Sequence, residues 1–574
     1  MTKTKAKAPQ VTPDDDRRRK GAFHTPRLWV ERAHQELERA LGPRWRSDCV
    51  VWDPASGTGN LTTLPQHHDY GALFSSTLDQ EDVDSMSESY GGLSAHQYDF
   101  LSRDPLPPEI DCGLRKAAVQ GKRLVYLMNP PYGTAAAGLG DVGRAGMTTS
   151  AVSLAMNEEG FGAATQQLFA QFLYQAVVFA ETYGFTDYTV AFFGVPTLMT
   201  SASFRSFREW WYRRHRFDGG FFFQASQFAD VSGSWGIVFT LWSSSSMTCT
   251  LADQPLPVHV VEVHEGQAID VAVKRFYNTD DRQASEWARE AVRGIKGVRQ
   301  PCLTSGLKLN GATKALAPNA LAYFVNNSNA MYDSATLCAW GSLPMTPTGF
   351  SVTPDNWRNA VALYAARKLV PVTWQTGKDE YAHPSKTWTP EYKQWVNDAH
   401  IYVLLHHTNN CTAMRVVPVV PHGRVKNHWF WLPRVSCRLA LSTRKTPSIL
   451  HDLQEEDDIP SPVDALGRAI GHDTYFSRLI RTSLEFSEDA ILALSRLNAL
   501  WSKSLADRED YYANRPLTEK EPDLHLLAWD AGVYQLKPMW RELYPADWKE
   551  LQEAHNALAA RLVEGVYTYG FLRR

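Results

Sequence analysis

Between about Gly21 and Ser246, short apolar runs alternate with longer segments in which apolar residues return every three or four positions. CVVWDP (49–54), ALFSSTL (72–78), a short stretch ending at Tyr98-Asp99, LVYLMN (124–129) and YTVAFFG (188–194) predict strands. PRLWVERAHQELERAL (26–41), TQQLFAQFLYQAVVFAETY (165–183) and SFRSFREWWYRRH (203–215) carry helical spacing. FDGGFFFQASQF and WGIVFTLWS predict two late strands of the same sheet. Strands and helices in this alternation are the pattern of βαβ units, so the expected fold is α/β with a doubly wound sheet.

The pattern changes further along. The Gly- and Ala-rich segment between Tyr132 and Thr165 is too long for an ordinary connection and predicts an active-site lid or an insertion. SSSSMTCT (243–250) marks a composition shift and the expected domain boundary. Beyond it HIYVLLHHT and NHWFWLP suggest extended segments, and from about Ser487 the chain turns helical, with KELQEAHNALAARLVEGV (549–566) the clearest helix. The expected organisation is a charged tail (1–20), a sheet-bearing domain (21–248) and a mixed α+β region (249–574). A length of 574 residues fits at least two domains, since single cores stop growing near roughly 250–300 residues.

Composition excludes more than it selects. Hydrophobic content of 44% and charged content of 21% fit a globular protein rather than a disordered or fibrous one. A net charge of −3 names no partner, because basic patches can hide in a balanced total. Seven scattered cysteines without a CxxC pair offer no metal signature and fit reduced thiols. With no apolar run long enough for a membrane helix, the expectation is a cytoplasmic protein without membrane or metal.

Candidate chemistry sits at the strand ends. In VVWDPASGTGNLT, Asp53 closes a strand, and Gly57 and Gly59 follow where a Cβ would keep a ligand off the backbone. The spacing is neither GxGxxG nor a phosphate-binding GxxxxGK, and an acid at the strand end suits a ligand carrying positive charge. Asp79 follows the second strand twenty positions after Gly59, where doubly wound folds hold a ribose. Asp99-Phe100 ends the third strand with an acceptor and a ring, and the fourth runs into Asn129-Pro130-Pro131-Tyr132.

KGAFHTP (20–26), DPASGTG (53–59) and NPPY (129–132), in that order, resemble the motifs GxxYTP, DPAxGxG and (D/N/S)PP(Y/F). These belong to the S-adenosylmethionine-dependent N6-adenine DNA methyltransferases of the gamma class, whose target recognition domain is C-terminal. The resemblance implies a Rossmann-like methyltransferase domain that transfers a methyl group from S-adenosylmethionine to a flipped adenine in double-stranded DNA. It implies that Thr25 and Asp53 face the methionine part of the cofactor, with Gly57 and Gly59 beneath it. Asp79 would hold the ribose, Asp99 and Phe100 the adenine ring, and Asn129, Pro130 and Tyr132 the target base. Thr77 stands where many members place the ribose-binding Glu, a departure from the family's pattern. Asn at the first NPPY position goes with adenine in this family, whereas amino-cytosine members mostly carry Ser. The same NPPY also occurs in enzymes that methylate glutamine in proteins or guanine in RNA, and a non-catalytic DNA-binding module is the reading from another class.

The segment Thr412–Leu450 holds Arg415, Arg424, Lys426, Arg434, Arg438, Arg444 and Lys445 without an acid, interleaved with His422, His428, Trp429, Phe430 and Trp431. That mixture suits phosphate contact and base stacking, and equally suits a sheet with a solvated basic face. A second cluster, Arg205, Arg208, Arg213, Arg214 and Arg216 beside Trp210 and Trp211, predicts core aromatics and solvated arginines, with a DNA rim as the alternative. The expected setting is a monomer in a restriction-modification or defence system, with partner proteins. Neither WQTGKDEYAHPSKTW (374–388) nor the rest of the C-terminal region carries an acid cluster ending in ExK. The purified chain is therefore expected to leave supercoiled plasmid uncut in magnesium, and cleavage would overturn that expectation.

Overall fold

The computed structural model describes residues 25–63, 69–89, 95–132, 150–227, 235–245, 254–278, 283–303, 309–317, 322–325, 340–341, 349–353, 355–371, 373–376, 380–407, 409, 416–419, 423–426, 486–504, 507, 510–511, 516–518, 521–525 and 533–573. The expected tail, Arg434, Arg438 and NHWFWLP lie outside these residues. Arg424 and Lys426 fall on the second strand of a two-stranded antiparallel sheet, Val416–Val419 with Gly423–Lys426.

The chain forms two compact units, Met1–Asp280 with Thr373–Glu380, and Asp281–Val372 with Tyr381–Arg574. The first holds a nine-stranded sheet in the order β3-β2-β1-β4-β5-β7-β6-β8-β9. Its strands are β1 (Val50–Asp53), β2 (Ala72–Thr77), β3 (Ala95–Gln97), β4 (Leu124–Met128), β5 (Tyr188–Gly194), β6 (His215–Gln224), β7 (Gly236–Ser244), β8 (Leu256–His264) and β9 (Gln267–Phe276). From β3 to β5 all neighbours are parallel, whereas β7 runs antiparallel to both β5 and β6. This is the doubly wound, Rossmann-like α/β fold, with β1 and β4 meeting where the strand order reverses.

Helices cover both faces because the central strands are apolar on both. On one face Val51, Val125, Leu127, Phe193, Phe221 and Phe223 share a core with Trp29, Val30, Ala33 and Leu37 of α1 (Arg27–Leu41). The Trp29 ring stacks on Phe223 at 3.7 Å. α1 stops at Gly42, whose φ of 90° places it in the left-handed region and whose N–H caps Glu38 O at 2.8 Å. On the other face Trp52 and Tyr126 pack with Phe100 and with Phe179 of the helix Leu168–Thr182.

Three sequence expectations change here. β8 and β9 continue the sheet past residue 248, so the expected boundary falls inside the first unit. HIYVLL belongs to the helix Pro390–Leu405, not to a strand, since a short apolar run reads alike in a buried helix and a buried strand. Part of the expected lid is ordered structure. Ser150 caps the helix Ala151–Glu158 by accepting from Ser153 N, and it donates to Gln171 Oε1 at 2.6 Å. Residues 133–149 lie outside the described residues.

The second unit centres on helices. Trp395 of Pro390–Leu405 donates to Leu562 O at 2.8 Å, within the long helix Pro545–Thr568 that contains the expected 549–566.

Gly220 shows how tightly the sheet is drawn. Its φ is 156°, and a Cβ there would stand 2.0 Å from Phe239 O on the paired strand. Gly220→Ala is expected to break the β6–β7 pairing and to cost more than about 1 kcal/mol, read as a lowered melting temperature against a surface Gly121→Ala control that must itself relax a φ of 65°.

Candidate active site

Parallel pairing brings the carboxyl ends of β3, β2, β1 and β4 to one edge, which places Asp99, Asp79, Asp53 and Asn129 along it. β1 and β4 form the crevice at the reversal of strand order, the place where open α/β sheets bind ligands. Asp53 and Asn129 also share a face. Side chains alternate along each strand, and Val51 pairs with Val125, so Asp53 and Asn129 both fall on the side of α1.

Asp53 is fully buried. Its Oδ1 accepts from Ala55 N at 3.1 Å, and its Oδ2 has no partner. Burial pushes the carboxyl up to about 8, against the smaller opposing pull of the Ala55 bond. A buried acid with an orphan oxygen is unfavourable unless a cation meets it. Below it the chain turns through Gly57 and Gly59, with φ of 50° and 84°, and a Cβ at Gly57 would meet nothing within 4 Å. Ser56 pins this turn to β2, donating from both N and Oγ to Ser76 O at 3.1 and 3.0 Å. An orphan carboxylate oxygen over an open, glycine-lined turn fits a cationic nucleoside ligand such as S-adenosylmethionine.

Asn129 is held at both ends of its amide. Nδ2 donates to Thr25 Oγ1 at 2.9 Å, and Oδ1 accepts from the Tyr132 hydroxyl at 2.8 Å. Pro130 is buried, and neither Pro130 nor Pro131 has a backbone N–H to donate. Tyr132 is half-buried and meets Trp235 edge to face, with ring centroids 5.7 Å apart. Desolvation drives its hydroxyl well above the usual tyrosine range, so it remains a donor.

The remaining expected positions differ in what they offer. Thr25 is buried and joined to Asn129, a contact that sequence spacing of 104 residues could not reveal. Asp79 is exposed at the end of β2, where its carbonyl accepts from Asp82 N at 3.2 Å. Thr77 is buried, and its Oγ1 lies 3.5 Å from Asp82 Oδ2, the outer limit of a hydrogen bond. Asp99 is exposed, its Oδ1 accepting from Leu101 N at 2.9 Å. Phe100 is only 1% exposed, with its ring among Trp52, Phe172 and Phe179, so the structure gives it a place in the core and no free face. Arg208 is not solvated: it is 1% exposed and its Nη1 donates to Leu198 O and Ser201 O at 2.8 and 2.9 Å.

Sequence reasoning missed Trp235 and the Thr25–Asn129 bond. Trp235 carried a weak signal, an aromatic opening a strand just after VSGS.

No family model matches the chain, and no curated protein matches it. Among solved structures the chain is similar to a DrdV–DNA complex, with 16% identity over 46% of this chain and 29% of that one and a TM-score of 0.31. It is similar to a class I S-adenosylmethionine-dependent methyltransferase from Listeria monocytogenes, with 11% identity over 41% and 65% and a TM-score of 0.29. A type I restriction-modification methyltransferase subunit from Streptococcus thermophilus shows 13% identity over 43% and 50%, with a TM-score of 0.28. The chain thus spans less than two thirds of the length of each. Likenesses this faint say nothing of activity. Among the described residues no helix is long and apolar enough to cross a membrane, and no group of His, Cys, Asp or Glu is placed to hold a metal ion.

Asp53 generates a pH prediction. A ligand ammonium facing it requires the carboxylate, so binding below pH 8 expels a proton. S-adenosylhomocysteine affinity should climb by up to about tenfold per pH unit as pH rises toward the raised value and flatten above it. Calorimetry in buffers of different ionisation enthalpy reads the proton, and Asp53→Asn should erase the pH dependence and weaken binding. The folded carboxyl titrates above its unfolded range near about 4, so stability without ligand falls as pH rises between the two. Asp53→Asn should therefore melt higher than the native chain above pH 8; equal melting would mean that Asp53 is not buried.

Proposed function

We propose that this protein is an S-adenosylmethionine-dependent DNA methyltransferase that modifies the exocyclic N6 of adenine after rotating the base out of the duplex. The observation that carries the reading is the placement of an unsatisfied buried acid, Asp53, and an oriented amide, Asn129, on one face at the reversal of strand order. The motif resemblance supports it independently.

The adenine amine is a poor nucleophile, because its lone pair is delocalised into the ring. Two acceptors on its two N–H bonds draw it toward a tetrahedral nitrogen. Asn129 Oδ1 supplies one and the Pro130 carbonyl the other. Thr25 accepts from Asn129 Nδ2, which favours the amide orientation that turns oxygen to the substrate. The Tyr132 hydroxyl occupies Oδ1 now, and the incoming amine replaces it with a donor of its own. The Tyr132 ring, in a T-shaped contact with Trp235, lies beside Asn129, where a base rotated out of the duplex would meet it, since the base cannot reach such a pocket from inside a duplex.

S-adenosylmethionine, when bound, supplies a methyl group already activated by its sulfonium. The chain's own part is to place Asp53 against the positive end of the ligand, to leave room at Gly57 and Gly59, and to set nitrogen in line with the methyl. Asp79 at the ribose and Asp99 at the adenine ring belong to the same proposal. Contact with DNA through Arg424, Lys426, Arg434 and Arg438, and a restriction-modification setting, belong to it as well.

Tritium transfer to DNA, RNA and protein substrates in parallel tests the reading: label in adenine of duplex DNA is expected, and label confined to RNA or protein sinks it. Asn129→Ala should lower turnover by about a thousandfold, in the range of losing one preorganised polar group at a reacting centre, while cofactor affinity stays near the native value. Equal loss of both would remove Asn129 from the role assigned.

A further inference from the structure

Three histidines gather in the second unit, yet no metal-holding group exists among the described residues. Instead His406, His407 and His555 line a cavity of about 290 Å³ with Tyr402, Trp548 and Lys537. No carboxylate is among the described lining residues. His555 lies flat on Tyr402, centroids 4.8 Å apart and planes within 15°, and His406 stands 4.4 Å from His407.

Charge decides what such a cavity takes. Burial lowers His406 to about 2, and His407, His555, Lys368 and Lys537 push in the same direction. His407 is lowered by burial and then by Lys537 and Lys368. His555 is lowered to about 4 by burial, although its bond to Tyr402 O raises it. The histidines are therefore neutral at pH 7, and Lys537 is the cation among the described lining residues, with no acid among them to answer it. The helix Pro390–Leu405 ends here, and a helix C-terminus ordinarily repels anions. Two carbonyls of its last turn are engaged: Tyr402 O accepts from His555 Nε2 at 3.0 Å, and Val403 O accepts from Asn409 Nδ2 at 2.9 Å. With Nε2–H so committed, the neutral His555 ring keeps its lone pair on Nδ1.

We propose that this cavity is a binding site for a phosphate-bearing ligand, with Lys537 and His407 meeting the phosphate and the Tyr402 and Trp548 rings walling the remainder. Its volume stands at the small end of ligand pockets, which run from roughly 300 to 1,000 Å³, and suits a mononucleotide unit. Two sources supply that chemistry, a free nucleotide or a nucleic-acid backbone. The site is independent of the methyl-transfer reading.

Calorimetry on the full chain, with saturating S-adenosylhomocysteine filling the first unit's site, tests it with inorganic phosphate and AMP as probes. Saturable binding is expected near pH 7, with proton uptake as the anion draws a proton onto the histidines. Lys537→Gln and the exposed His407→Gln should each weaken it by about tenfold, which is 1.4 kcal/mol. A short duplex that displaces AMP identifies the backbone as the source, and one that fails to displace it identifies the free nucleotide. Absence of saturable binding at millimolar phosphate and AMP overturns the proposal. So does unaltered affinity in both variants.

Discussion

A carboxyl group buried without a counter-charge is the constraint around which the first unit is arranged. Asp53 closes a strand with no exposed neighbour, and its Oδ2 meets no donor. Such an arrangement is costly in the ligand-free chain and persists only where the surrounding sheet over-determines it. Parallel pairing on both sides of β1, the aromatic stack of Trp29 on Phe223 and the Ser56 bonds to β2 supply that determination. Desolvation holds the acid protonated at neutral pH, so a cationic ligand must displace that proton before it gains a dry carboxylate as its partner.

The same economy of placement governs Asn129. A strand delivers the amide, two prolines stop the strand from continuing its ladder, and a hydroxyl from the start of the chain fixes the amide's rotation. The site draws on both ends of a 104-residue span, so its geometry depends on α1 being docked against the sheet.

Much of this was legible in the sequence where chemistry and hydrophobic pattern coincide. VVWD and LVYLM are fully buried runs, and the acid that closes the first and the amide that follows the second stand out in the sequence. Legibility failed where one local pattern serves two structures. HIYVLL carries no period that separates a buried helix from a strand, and Phe100 beside Asp99 looks like a ligand ring until Phe172 and Phe179 are seen to enclose it. Arg208 looks like any helical surface arginine, although two carbonyls of the preceding turn claim it. LPVHVVEVH does alternate in its first half, so β8 was readable, but the serine run before it suggested an ending.

The segment Thr373–Glu380 returns to the first unit after the chain has entered the second. Trp374 packs on Phe222 at 4.8 Å, and Glu380 pairs with Lys274 at 2.8 Å. The polypeptide therefore passes between the units three times, not once. Nowhere along the chain does a single peptide bond separate sheet from helices, so the two units are topologically stitched and cannot be exchanged between proteins as a simple end-to-end cassette.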